Sequence, residues 1–126
     1  MTNSSMKALF FIMSLLFITA SRTIAQYPKS GTYTYKIAFA EANGKSLGAT
    51  VIVIIKGNKI KIVHNGKPSL TGQKGEIIDQ GIIMKHARTG KWIIGHNSKD
   101  RYAKVIGGCS EGPSIIDFRY KKFWMC

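Results

Sequence analysis

Of the side chains able to do acid-base, nucleophilic or metal chemistry, this sequence holds three histidines, two cysteines and six carboxylates. His86 and His96 fall on one face of an expected hairpin but four ladder positions apart, about 13 Å at roughly 3.3 Å per residue, too far to share a metal. His64 ends a different strand, and no two histidines have the local spacing of a ligand pair. Glu76 and Asp79 are three apart on a short strand, so they point to opposite faces, which is poor geometry for a paired acid and base. Cys109, in the run Gly107-Gly108-Cys109-Ser110-Glu111-Gly112, could be drawn as a nucleophile, but its only possible disulfide partner, Cys126, would consume the thiol. Phosphate-binding glycine loops and hydrolase or zinc-protease motifs do not occur. The sequence therefore predicts no catalytic residues, no metal site and no cofactor.

What is abundant is positive charge interleaved with rings. The chain has a formal net charge of +13. Residues 1–25 read as a cleavable signal peptide: Lys7 supplies the positive start, Ala8 to Ala20 is uncharged and apolar, and Thr23-Ile24-Ala25 presents small residues for cleavage after Ala25. The apolar run is about thirteen residues, short of the roughly 18 to 20 that span a bilayer, so no transmembrane segment is expected in the mature chain. Losing Lys7 and Arg22 with the leader leaves seventeen basic side chains against six acidic ones, a formal charge of +11. A bias of that size attracts polyanions such as nucleic acid, acidic glycans or lipid headgroups. A secreted or periplasmic product follows, in which Cys109 and Cys126 would pair. Closing that loop would contribute on the order of 3 kcal/mol.

The elements that must position these groups are strands. Val51 to His64 (VIVIIKGNKIKIVH) is two apolar runs meeting at Gly57-Asn58, a two-residue turn with glycine first. Pairing outward from Lys56 and Lys59 sets Ile55 opposite Ile60 and Val53 opposite Ile62 on a face that must be buried. Lys56, Lys59 and Lys61 share the other face with Ile52, Ile54 and Val63. Upstream, Thr32 to Glu41 alternates with Tyr33, Tyr35, Ile37 and Phe39 on one side, followed by Asn43-Gly44. A strict two-residue loop there pairs Tyr35 with Ile52; a bulge near Gly48 shifts the register by one.

Glu76 to Asp79 is expected to be a short strand that breaks at Gly81, and Ile82 to His96 a third hairpin around Arg88-Thr89-Gly90. Pairing Ala87 with Lys91 would set Trp92 opposite His86. Asn97 to Gly108 carries the one plausible helix, capped by Ser98, and Ile115 to Cys126 alternates as a closing strand that turns Cys126 inward.

Six or seven strands with Gly/Asn turns and a single short helix make residues 26–126 one all-β domain, a small antiparallel barrel or two-sheet sandwich. Two sets of binding candidates follow. Basic residues cluster at turn tips: Lys56, Lys59 and Lys61 on one hairpin, Lys85, Arg88 and Lys91 on another, and Arg119, Lys121 and Lys122 near the end. Tyr33, Tyr35, Trp92 and His86 could line a cleft. The function expected is a non-catalytic exported protein whose basic surface engages an anionic partner. The alternative is a secreted inhibitor or structural envelope protein that contacts a protein partner through hairpin tips such as Arg88-Thr89-Gly90.

Overall fold

The computed structural model describes residues 27–126; the expected leader lies outside the described residues. The described chain is all-β: seven strands, two short 3-10 turns, and a barrel rather than a sandwich. The strands are β1 (Gly31–Phe39), β2 (Thr50–Lys56), β3 (Lys59–Val63), β4 (Ile77–Lys85), β5 (Trp92–Gly95), β6 (Ser114–Asp117) and β7 (Lys122–Met125). Neighbours in sequence pair antiparallel throughout. Because the number of strands is odd, the first and last run in the same direction, so the barrel closes through a parallel ladder, Lys36 to Phe39 of β1 against Lys122 to Met125 of β7. Among the described strands no edge is left open for another chain to extend.

The two nine-residue strands are the corners. β1 pairs with β2 up to Lys36 and with β7 from Lys36 onward; β4 pairs with β3 up to Ile82 and with β5 from Ile82 onward. At the second corner Gly81, expected to break the strand, instead continues it. A Cβ at Gly81 would collide with the Gly95 carbonyl oxygen, so the bend there needs a residue without a side chain.

The central hairpin forms in the expected register, Lys56 opposite Lys59 and Val53 opposite Ile62, with Gly57 at φ 63°. Two other hairpins hold register differently from the simplest reading. Between β1 and β2 the shifted alternative is the one adopted: Tyr35 faces Val51 and Tyr33 faces Val53. The connection is a 3-10 turn at Ala40–Ala42, then left-handed Asn43, Gly44, Leu47 and Gly48. That shift turns the tyrosines into the same interior as Val51 and Val53.

Between β4 and β5, Lys85 pairs with Trp92 and the His86 N–H donates to the Lys91 carbonyl, so the loop has four residues, Ala87 to Gly90. His86 therefore lies on the opposite face from Trp92. Ile83 and Ile94 join the core with Val51, Val53, Ile55, Ile60, Ile62, Ile116 and Phe123, while Met84 and Ile93 are buried on the outer side.

The expected helix is a single 3-10 segment, Ser98–Tyr102, capped by Asn97, whose side chain accepts from the Lys99 N–H, and not by Ser98. The closing run is not one strand: it folds into β6 and β7 around a turn at residues 118–121, with Lys121 left-handed at φ 53°. Asp117 Oδ1 accepts the Tyr120 N–H at 3.0 Å and fixes that turn. The disulfide forms between Cys109 and Cys126 (Cα separation 4.7 Å), but on the surface, with Cys126 exposed and not inward. It fastens the long β5–β6 connection to the end of β7. Such a bond is consistent with an extracellular or periplasmic setting. Among the described residues no helix is long and apolar enough to cross a membrane.

Candidate functional site

An up-and-down order has one consequence for the charges. The β2–β3, β4–β5 and β6–β7 turns all lie at one end of the barrel, where β1 also begins. The other end holds the β1–β2 and β3–β4 loops; the long β5–β6 connection starts there and runs back along the barrel to the β4–β5 loop, its Arg101 and Ala103 carbonyls accepting the Ala87 N–H and His86 Nε2. The first end thus collects Lys29, Lys56, Lys59, Lys85, Arg88, Lys91, Arg119 and Lys121, with Lys61 one turn of the pleat further in, whereas Lys122 pairs with Lys36 and borders the β1–β2 loop. The segment before β1 sits beside the central tip, since the Gly57 N–H donates to Ser30 Oγ at 2.9 Å. Asp117 is the acidic side chain at this end. The basic groups of the three turns, read separately from the sequence, thus share one end of the barrel.

These cations are unneutralised. Among the described residues no lysine or arginine takes part in an ion pair; the one pair involving a carboxylate joins Asp79 Oδ1 to His96 Nε2 at 2.8 Å. The carboxylates are occupied locally instead. Asp100 Oδ2 accepts the His96 N–H, Glu76 Oε2 accepts the Gln73 N–H, and Asp117 holds the turn already described. Arg88 is the one basic group at this end tied by a hydrogen bond, its Nη2 donating to the Lys104 carbonyl at 2.8 Å.

Inside the ring of cations the barrel mouth is closed by aromatics. Trp92 packs edge-on against Tyr27 and Phe118, with ring centroids 5.5 Å and 5.9 Å apart, and Phe118 meets Tyr35 at 6.4 Å. Tyr33 stands beside Tyr35, its hydroxyl donating to the Lys29 carbonyl at 2.6 Å. Lys85 Nζ lies 5.1 Å above the Trp92 ring. Exposed Tyr120 has the Arg119 guanidinium 5.4 Å from its ring centre. Of the four residues expected to line a cleft, Tyr33, Tyr35 and Trp92 meet here, packed on one another, whereas His86 does not.

The Tyr35 hydroxyl is buried without a hydrogen-bond partner. Burial, with Tyr33 and Asp117 nearby, pushes its pKa from 10.0 up to about 12.

The histidines are structural and separate. His64 is buried with Nδ1 accepting the Gly66 N–H and Nε2 donating to the Leu70 carbonyl, which folds the β3–β4 loop around it. His86 is buried against the β5–β6 connection, its Nε2 donating to the Ala103 carbonyl at 2.7 Å, with Nδ1 2.9 Å from Thr89 Oγ1. Among the described residues the one group of three potential metal-ligand atoms within 4.8 Å of one another is Glu41, Cys109 and Cys126. Its two sulfurs are bonded to each other, so neither offers a thiolate.

A second feature was not legible in the sequence. Between the outer face of β6–β7 and the β5–β6 connection runs a groove of about 730 Å³. Its walls are apolar, from Ala40, Trp92, Ile106, Ile115 and Trp124, and Lys91, Arg119 and Asp117 lie toward the basic end. No sequence signal marks it, because it is made by a connection lying across a sheet. No family model matches the chain, and comparison with curated proteins and with solved structures finds no match to it.

Proposed function

We propose that this is an exported, non-catalytic binding protein that engages an anionic polymer through the basic end of its barrel. The observation that carries the reading is the convergence of three hairpin tips and the start of β1 into a cationic ring without ion-pair partners, set around half-buried aromatic rings. Phosphate, sulfate or carboxylate groups along a polymer would neutralise several of these cations at once and release counterions. The aromatic mouth and Tyr120 add flat surfaces on which bases or sugar rings stack.

Titration with dextran sulfate, polyphosphate and oligothymidylate tests it. Binding is expected to weaken steeply between low and moderate salt. Lys56→Glu with Lys59→Glu is expected to lower affinity, while Lys67→Glu with Lys74→Glu, at the opposite end, leaves it unchanged. Equal losses from either pair would show a response to net charge alone and overturn the assignment.

One observation favours the second reading, a protein contact through Arg88-Thr89-Gly90. That loop is preorganised: the Gly90 N–H donates to the His86 carbonyl at 2.8 Å, and Arg88 is held by Lys104. Capture of a protein partner with little salt dependence, lost on truncating this loop, would support it instead.

A further inference from the structure

From the groove beside β6 and β7 we infer a second binding site, for a free single-chain amphiphile with an anionic head, such as a fatty acid. The groove's length is apolar: Ile115 and Trp124 from the sheet face Ile106 of the connection, and Ala40 completes the wall. Its volume, about 730 Å³, is in the range of small-molecule sites. Positive charge is confined to the end where Lys91 and Arg119 stand, so a ligand with one charged head and one apolar tail has a single orientation. Asp117 is also there, but its Oδ1 is engaged by the Tyr120 N–H, and Lys91 and Arg119 outnumber it.

The walls are built to stay apart from the strand and close to it at chosen points. Gly107 and Gly108 both have positive φ, and a Cβ on Gly107 would collide with the Ile115 side chain. The connection can approach β6 there only because it has no side chain. At the far end the Cys109–Cys126 disulfide fixes the same connection to β7. The groove is thus held by a covalent tie and a glycine pair, which favours a preformed site over one assembled on contact with a bilayer.

The site adjoins the polymer-binding end and shares Lys91 and Arg119 with it, while its apolar length is separate. Charge complementarity selects an anionic head, and a single apolar trough selects one tail.

The chain's two tryptophans, Trp92 and Trp124, both line the groove, so intrinsic fluorescence reads its occupancy directly. Dodecanoate below its micellar concentration is expected to change that fluorescence saturably, with hexanoate at least about a hundredfold weaker. Dodecylammonium is expected not to bind. Lys91→Glu with Arg119→Glu should cost at least about tenfold in dodecanoate affinity. Lys67→Glu should leave it unchanged, and Asp117→Asn should tighten it. Ala40→Phe, which fills the groove, should abolish dodecanoate binding while polyphosphate binding persists, separating this site from the polymer site; circular dichroism verifies that each variant is folded.

Absence of a saturable change, equal binding of dodecylammonium, indifference to tail length, or an unaffected Lys91/Arg119 variant would each overturn the inference. So would binding to anionic phosphatidylglycerol vesicles without binding to monomeric dodecanoate.

Discussion

Lys56 and Lys59 stand directly opposite each other at the tip of the β2–β3 hairpin, and neither has a carboxylate within ion-pair distance. Like charges across a non-turn pair are unfavourable by a few tenths of a kcal/mol to about 1 kcal/mol. Nothing in the fold of the hairpin requires both to be lysine, since Gly57 and the apolar pairs behind them set the register. Lys56→Glu is therefore expected to raise stability by about 0.5 kcal/mol, read from urea unfolding, while weakening polyanion binding. Stability and binding moving in opposite directions on one substitution is the signature of a residue kept for binding. A variant that loses both would mark the lysine as structural.

Tyr35 gives a prediction at alkaline pH. Its pKa is raised in the folded chain from 10.0 to about 12, so between those values the folded state holds a proton that the unfolded state has released. Its contribution is intact below pH 10 and declines as pH rises through 12, a total of about 2 to 3 kcal/mol. Tyr35→Phe should remove that part of the alkaline loss, seen as a shallower fall of the variant's urea midpoint than of the parent's from pH 9 to about 11. At neutral pH the same variant should be as stable as the parent, or about 1 kcal/mol more so, because the deleted hydroxyl is buried without a partner. A marked loss at neutral pH would mean that the hydroxyl has a partner.

The corner at Gly81 separates two ways in which a glycine can be needed. Gly81→Ala drives a methyl into the Gly95 carbonyl, and a loss of about 3 kcal/mol or more is expected. Gly90 has open space around its missing side chain and only a positive φ of 70°, so Gly90→Ala should cost about 1 kcal/mol. Thermal unfolding of the two variants side by side checks the ordering. If Gly81→Ala is the milder, the corner bends less sharply than described.

Cys109→Ser with Cys126→Ser should cost about 3 kcal/mol in global stability. Its local effect should fall on the connection between β5 and β6. Hydrogen exchange is expected to accelerate at Gly107 and Ser110, whose N–H groups donate to Pro113 and Gly107 respectively, before it changes at β2 or β3. Uniform acceleration across the barrel would show the disulfide to be holding the sheet itself.

The sequence alone determined whatever depends on neighbours along the chain. The central hairpin could be read to its residue pairs because Gly57 fixes the turn and period-two alternation fixes the buried face. The disulfide followed from there being two cysteines, and the all-β class from the spacing of turns. Elsewhere alternation could not say where a ladder begins: a one-residue change in loop length turns every side chain over, and the β1–β2 and β4–β5 loops took the longer routes. His86 was misplaced for that reason, and Ile115 to Cys126 alternates as well in two strands as in one.

Only tertiary structure decided the rest. An odd number of strands closing in parallel, a corner that needs Gly81 against Gly95, and a connection drawn across β6 and β7 are all contacts between residues far apart in sequence. Their energies come from packing and from carbonyls that must find donors, neither of which leaves a local pattern. The basic residues were visible one hairpin at a time; that three turns bring them to the same end is a property of the barrel.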